Sequence, residues 1–286
     1  MTAAGEIDLI GSRIQAEVER AIQRNIKGLE YFSSPAPVPG ATPKDLLHTR
    51  GTLNLYHYRP LAAELYRVPL LLVMATTNRG YIFDLAPGQS LVEFLLKQGY
   101  DVYLIDWTRM GLFTKWAHRD FFDVDKLVDA LGNVPSEFIF TSFEMLRPAT
   151  RSAGQIRLWE NLWNDEFVKS HRMFERWSTD TLPLAGEYFR QTIKELMWRN
   201  GLFENALTLG GRRADLGNIR APVLHVVAEH DHIVPYEAAR PLIERVGSAD
   251  KQELVLKGGH VSVVAGRNAV QRLWPKLDAW LGERSI

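Results

Sequence analysis

An aspartate and a histidine occupy positions in this sequence that suit proton transfer. Asp231 lies in VVAEHDHIVP (226–235) and His260 ends LVLKGGH (254–260), so each follows a short apolar run typical of a buried strand. In open α/β sheets, ligands bind beyond the carboxyl ends of the strands, where both residues are expected. The pair predicts the acid and base of a triad, in which the Asp orients the imidazole and the His moves a proton. The alternative is a solvated aspartate and a surface histidine, which α/β loops often carry.

The nucleophile that would complete such a triad is missing. The chain has no cysteine and no G-x-S-x-G motif, which is the strand–turn–helix signature of a nucleophile elbow. The nearest pattern is ALTLG (206–210), centred on Thr208, but no strand-like run precedes it. Ser90 is predicted to cap a helix, and Ser136 to lie solvated just inside another. The acid and base therefore stand without an evident attacking group.

Composition and motifs exclude several other classes of function. Lys+Arg and Asp+Glu number 34 each, which gives no electrostatic support for a nucleic-acid partner. His230 and His232 flank Asp231 but lack a third ligand at helical spacing, so no metal site is predicted, and no cofactor motif is present. The N-terminus lacks the apolar core of a signal peptide, and no apolar run is long enough to span a membrane. These features predict a cytoplasmic protein.

The first third of the chain predicts an amphipathic helix and a βαβ unit. Apolar residues at helical spacing mark a helix over 12–31, and a Pro/Gly-rich linker follows at 34–43. The segment 53–60 alternates and predicts an edge strand, whereas VPLLLVMA (68–75) suits a central strand of a parallel sheet. A helix over 90–98, ended by Gly99, and a buried strand over 101–107 complete the unit.

A long helical insertion precedes the last two strands. No strand-like run appears from 108 to 218, and the segment is helical and rich in aromatic residues. These aromatics predict the core of a cap. Strands are predicted again at 221–230 and 252–259, with a helix between them and another at the C-terminus. The pattern predicts a mostly parallel α/β sheet with a helical insertion. The aromatic set is Trp159, Trp163, Phe174, Trp177, Phe189 and Trp198.

Four blocks of the sequence resemble polyhydroxyalkanoate synthases. They are VPLLLVMATTNRGYIFDLAPGQSLVEFLLKQGYDVYLIDW (68–107), FFDVDKLVDALGNVPSEF (121–138), LTLGGRRADLGNIRAPVLHVVAEHDHIVP (207–235) and KGGH (257–260), and the similarity extends over about 40–283. In that family a cysteine in a G-x-C-x-G elbow carries the growing chain as a thioester. The resemblance implies an α/β-hydrolase fold, acid and base roles for Asp231 and His260, and an oxyanion-hole position for Asn78, which is otherwise an ordinary turn former.

The sequence departs from the family where the elbow should be. After DVYLIDW it passes through TRMG directly to a segment that resembles the region beyond the elbow. The missing piece corresponds to about two βα units, roughly 60–90 residues if one βαβ unit needs about 30. We therefore expect an α/β-hydrolase-like sheet shortened by that loss, with four parts: an N-terminal helix and linker (1–40), the first part of the core (41–111), a helical cap (112–218) and the last part of the core (219–286).

The resemblance implies a substrate and partners as well as a fold. The substrate would be an (R)-3-hydroxyacyl-CoA, and an acyl-CoA tunnel lined by some of the aromatic residues of the insertion is the alternative to their role as cap core. The partners would be a second synthase subunit, as in the short-subunit type, further copies of the chain, or the surface of a polymer granule. Three hypotheses stay open: an impaired acyltransferase, a non-catalytic subunit that binds intact synthases or granules, and a deletion product without function.

Overall fold

A computed structural model describes residues 3–35, 38–50, 53–74, 79–107, 122–146 and 148–285. The described α-helices are α1 (Ala3–Ser33), α2 (Leu91–Lys97), α3 (Val124–Leu131), α4 (Ser136–Leu146), α5 (Pro148–Glu160), α6 (Asp165–Thr179), α7 (Gly186–Gln191), α8 (Tyr236–Arg245) and α9 (Trp274–Gly282). π-helical turns continue α7 over Thr192–Trp198 and precede α9 over Ala269–Leu273, and 3₁₀ turns cover Gly80–Phe83, Leu216–Asn218 and His260–Val263.

The described strands are β1 (Lys44–Arg50), β2 (Leu53–Tyr58), β3 (Leu70–Val73), β4 (Val102–Trp107), β5 (Thr208–Leu209), β6 (Arg212–Arg213), β7 (Val223–Ala228) and β8 (Lys251–Leu256). The chain splits into two compact units, of which one comprises Met1–Val38 with Phe143–Arg176 and the other Pro39–Ser142 with Trp177–Ile286. The division into four parts stays a prediction.

The smaller unit joins α1 to α5 and α6. The Lys27 ammonium lies 2.9 Å from an Asp165 carboxylate oxygen, and the Tyr31 hydroxyl donates to Glu175 at 3.0 Å. The predicted helix over 12–31 is confirmed and extends beyond both ends. The cap-core interpretation is wrong for Trp159, Trp163 and Phe174 of this unit, which are 40–50% exposed. Helical spacing alone did not distinguish a helix packed on two sides from one packed on a single side.

The larger unit contains a four-stranded mixed sheet in the order β1-β2-β4-β3. β3 and β4 are parallel, as predicted, with Leu71 opposite Tyr103 and Val73 opposite Ile105. The segment predicted as an edge strand, β2, instead lies between β1 and β4 and is antiparallel to both. Sequence analysis missed β1 because charged residues interrupt its apolar alternation, as is common in edge strands.

The last two strands form a separate parallel pair, β7 and β8. In the described part of the chain, β1, β3, β7 and β8 therefore each have one hydrogen-bonded neighbour, and the parallel strands are divided between two sheets. The predicted strand-free stretch up to 218 contains one exception, a short hairpin of β5 and β6. A single apolar cluster packs against one face of both sheets and includes Leu95 of α2, Leu104 of β4, Leu256 of β8 and Trp274 of α9.

Local signals place α2 and the cap helices as expected. The Ser90 side chain accepts a hydrogen bond from the Glu93 amide at 2.9 Å and begins α2, and Gly99 ends it with φ +89°. In the segment predicted as a cap, Arg190 of α7 donates to Asp129 of α3 at 2.6 Å. Phe189 and Trp177 are buried there, which agrees with the cap-core interpretation for these two aromatics.

Candidate active site

Asp231 lies in the turn between β7 and α8, and backbone hydrogen bonds fix its carboxylate. One carboxylate oxygen, Oδ1, accepts from the amides of Ile233 and Val234, both at 2.9 Å. The Asp231 amide donates to the Ala228 carbonyl at the end of β7. Its side chain is 9% exposed. This arrangement is an Asx turn in which the carboxylate defines the loop and presents its second oxygen on one side.

His260 follows β8 and begins a 3₁₀ turn. Gly258, two residues before His260, has φ +142°, a conformation that side chains with a Cβ rarely adopt. A Cβ at that position would lie 2.1 Å from the Ser262 hydroxyl oxygen, which itself donates to the Gly259 carbonyl at 2.6 Å. The glycine pair therefore allows the chain to turn sharply at the carboxyl end of β8 and to direct His260 toward Asp231.

The structure brings the two predicted residues together. His260 Nδ1 lies 2.8 Å from the second carboxylate oxygen of Asp231. Because a carboxylate only accepts, this contact favours the tautomer in which Nδ1 carries the proton and Nε2 has a free lone pair. The His260 side chain is 40% exposed, and among the described residues Nε2 has no hydrogen-bond partner. The pair has the geometry of a base held by an acid, with its proton-accepting nitrogen open to a ligand or water.

The described residues supply no nucleophile for this base. Thr208 lies in the β5–β6 hairpin, whose turn residues Gly210 and Gly211 both have positive φ, so it has neither the strand before nor the helix after it that an elbow needs. Ser90 is buried, where it caps α2 and donates to Asp84 at 2.7 Å. Ser136 is the first residue of α4.

Asn78 lies outside the described residues, but the end of its loop is well defined. The Gly80 amide donates to Asp106 at 3.0 Å, and the Trp177 indole donates to the Arg79 carbonyl at 3.1 Å. Burial raises the pKa of Asp106, which ends the apolar part of β4. Asp106 was not predicted as a functional residue, although a carboxylate within a buried strand is an unusual feature that the sequence shows. It anchors the residues that follow the predicted oxyanion loop.

Other histidine–carboxylate pairs lie away from this site. His225 of β7 contacts Glu253 of β8 at 3.0 Å, and His57 of β2 contacts Asp101 at 2.6 Å. No group of three or more His, Asp or Glu residues that could hold a metal ion occurs in the part of the chain that the structure describes. Within the same ranges, no helix is both long and apolar enough to cross a membrane.

Sequence comparisons match this chain to polyhydroxyalkanoate polymerases. A family model described as the N-terminus of poly-β-hydroxybutyrate polymerase (PhaC) matches residues 39–95. The poly(3-hydroxyalkanoate) polymerase subunit PhaC of Haloferax mediterranei is 29% identical over 86% of this chain, which spans 65% of that relative. The PhaC subunit of Allochromatium vinosum is 28% identical over 97% of this chain and 99% of its own length.

The second alignment also measures what this chain lacks. It contains 354 positions, yet 97% of 286 residues fill only about 277 of them. Since both chains are covered almost from end to end, the surplus of about 77 positions falls inside the alignment rather than at a terminus. This value lies within the predicted loss of two βα units.

Structural comparison supports the fold independently of sequence. A soluble variant of monoglyceride lipase from Saccharomyces cerevisiae superposes with a TM-score of 0.50 over 88% of this chain and 99% of its own, at 12% identity. At this identity the likeness concerns the fold alone. The chain is thus similar over most of its length to the poly(3-hydroxyalkanoate) polymerase PhaC subunits, and its fold resembles that of α/β hydrolases.

Proposed function

We propose that this chain is a polyhydroxyalkanoate synthase-type subunit that retains the acid and the base of the acyl-transfer site and lacks its nucleophile. The observation that carries the proposal is the Asp231–His260 pair, joined at 2.8 Å in a chain with no cysteine. The names of the relatives support an (R)-3-hydroxyacyl-CoA as the ligand, since a polymerase of 3-hydroxyalkanoates needs an activated hydroxyacyl monomer.

The chemistry open to such a site is activation of water. His260 Nε2 can accept a proton from a water molecule as it attacks the thioester carbonyl, and Asp231 stabilises the imidazolium that forms. The tetrahedral intermediate then expels CoA and leaves a free hydroxy acid, so no growing chain is attached to the protein. Triads that lose their nucleophile keep only about 10³–10⁴-fold acceleration over water, several orders of magnitude below the complete enzyme.

Release of CoA from (R)-3-hydroxybutyryl-CoA tests this proposal. We expect slow CoA release without a burst and hydroxybutyrate rather than polymer as the product. The rate of CoA release should fall in His260→Ala. A matched control is His230→Ala, which removes a neighbouring imidazole that has no role in the proposed step. Polymer formation by the purified chain, or equal rates in His260→Ala and the parent protein, would contradict the proposal.

The alternative is a non-catalytic subunit that binds an intact synthase or a polymer granule. The divided sheet of the larger unit favours it, because β3 and β7 each lack a second neighbouring strand among the described residues and open strand edges are common sites of association. Co-purification with a cysteine-bearing relative, such as the PhaC subunit of Allochromatium vinosum, distinguishes the two functions. A stable complex together with no CoA release from the chain alone supports the alternative, whereas CoA release without a complex excludes it.

A further inference from the structure

The β7–β8 pair carries a polar network on the face opposite its apolar cluster. His225 of β7 and Glu253 of β8 lie directly opposite each other in the parallel register. Their side chains point away from the face on which Val226 and Leu254 pack against the cluster. His225 Nδ1 lies 3.0 Å from Glu253 Oε2, and the His225 side chain is 9% exposed. Since a carboxylate only accepts, the imidazole donates and fixes one oxygen of Glu253.

The other oxygen of Glu253 accepts from a tyrosine of the helix on this face. The Tyr236 hydroxyl donates to Glu253 Oε1 at 2.7 Å. Tyr236 is the first residue of α8, so this bond joins the start of that helix to β8. The Tyr236 hydroxyl, and after it the His225 ring, lower the pKa of Glu253, so the carboxylate is ionised at neutral pH and the bond to Tyr236 is charge-assisted.

α8 is weakly packed, so its start depends on this bond. None of its ten residues is buried, and it covers the β7–β8 pair incompletely, because Val255 on the same face is 49% exposed. Its N-cap is Pro235, which makes no side-chain capping hydrogen bond. At the far end of α8, Arg245 stacks over the Phe203 ring at 3.8 Å. A short helix needs such tertiary contacts to be stable, and Tyr236 supplies one at its N-terminal end.

The turn that holds the acid ends where α8 begins. Its first residues are fixed by backbone hydrogen bonds, with the Glu229 amide donating to the Leu256 carbonyl at 2.8 Å. Further along, Asp231 Oδ1 accepts at 2.9 Å from the amides two and three residues ahead of it, in the part of the turn that leads into Tyr236. Movement of the start of α8 would therefore shift the Asp231 carboxylate relative to His260 Nδ1, which lies 2.8 Å from it.

We propose that Tyr236 and Glu253 are positioning residues for the acid–base pair. They hold the start of α8 on β8, and through the turn they keep the Asp231 carboxylate where it orients the imidazole of His260. Both residues act through the backbone and are not themselves catalytic. Their effect on CoA release rests on the proposed function, whereas their effect on the His260 ring does not depend on turnover.

Tyr236→Phe tests this role because it removes a single hydroxyl. The matched control is Tyr31→Phe, which removes a hydroxyl that donates to Glu175 at 3.0 Å in the smaller unit. Nitrogen NMR of isotope-labelled histidine, at a pH at which imidazoles are neutral, measures the tautomer, and His260→Ala assigns the signal. We expect the His260 proton on Nδ1 in the parent chain and in Tyr31→Phe, and a mixture of both tautomers in Tyr236→Phe. A His260 signal that is the same in all three proteins would overturn the proposal.

The kinetics of CoA release give the second readout. We expect Tyr236→Phe to lower kcat for (R)-3-hydroxybutyryl-CoA by about three- to tenfold, the range set by the net strength of one hydrogen bond, and to leave KM unchanged. Glu253→Gln keeps an oxygen for the Tyr236 hydroxyl and should retain the parent rate, whereas Glu253→Ala should resemble Tyr236→Phe. Equal losses in Glu253→Gln and Glu253→Ala, or a change in KM alone, would overturn the positioning role. If the parent chain releases no CoA, the proposed function fails and the tautomer of His260 decides the positioning role by itself.

Discussion

Replacement of Asp231 should destabilise the fold far more than replacement of its histidine partner. Asp231 accepts three hydrogen bonds, from the amides of Ile233 and Val234 at 2.9 Å and from His260 at 2.8 Å, and its side chain is 9% exposed. Hydrogen bonds to a charged group contribute about 1.5–3 kcal/mol each, and buried amides left without partners cost about 1–3 kcal/mol. Because such contributions are not additive, we expect less than their sum: Asp231→Ala should lower the free energy of unfolding by about 3–5 kcal/mol.

His260→Ala removes one of these bonds from a side chain that is 40% exposed, so about 1 kcal/mol is expected. Asp231→Asn keeps an oxygen that can accept from both amides, and its loss should resemble that of His260→Ala. Urea unfolding of the three variants, followed by circular dichroism, measures the loss of unfolding free energy in each and so ranks them. A loss below about 1 kcal/mol in Asp231→Ala, or an equal loss in all three variants, would refute the role of Asp231 as the residue that defines the loop.

Three further predictions concern backbone approach and buried charge. Gly186→Ala should lower the free energy of unfolding by more than about 3 kcal/mol, because its Cβ would lie 1.7 Å from a backbone oxygen at the end of α3. Gly154→Ala in α5, where no atom lies within 4 Å of the added Cβ, should raise the free energy of unfolding by about 0.5–1 kcal/mol. Thermal unfolding of the two variants measures both changes. Gly258→Ala should lower both stability and CoA release, since its Cβ would meet a hydroxyl at 2.1 Å and displace the loop; unchanged release would contradict this. Burial raises the pKa of Asp106, so the folded state binds its proton more tightly and stability falls as pH rises from 3.8 through the folded pKa; Asp106→Asn should therefore raise Tm at pH 7 but not below pH 3.8.

Much of the fold follows from short-range signals in the sequence. The apolar runs at β3, β4, β7 and β8 are strong because those strands are buried on at least one face. The N-cap residue Ser90 and the glycine at 99 predicted the start and the end of α2. β1 could not be found in this way, since its sequence is that of a solvated edge.

The candidate site was predictable in part. Asp231 and His260 each follow a parallel strand, and adjacent parallel strands place their carboxyl ends together, so strand order alone brings the pair into reach. The division of the strands into two sheets was not predictable, because it depends on which strands find neighbours across the whole fold. Exposure of Trp159 and Trp163 was missed for the same reason: burial is a property of the packed unit and not of helical spacing.

A chain without a nucleophile forms no covalent acyl intermediate, and intact-protein mass spectrometry can detect one. The chain is incubated with (R)-3-hydroxybutyryl-CoA, the reaction is quenched in acid, and the mass of the intact protein is measured. A cysteine-bearing PhaC relative is the positive control. We expect the relative to gain the mass of an acyl group while this chain keeps its unmodified mass of 32.6 kDa at every time point. An acyl adduct on this chain that disappears in His260→Ala would instead show that the chain contains a nucleophile.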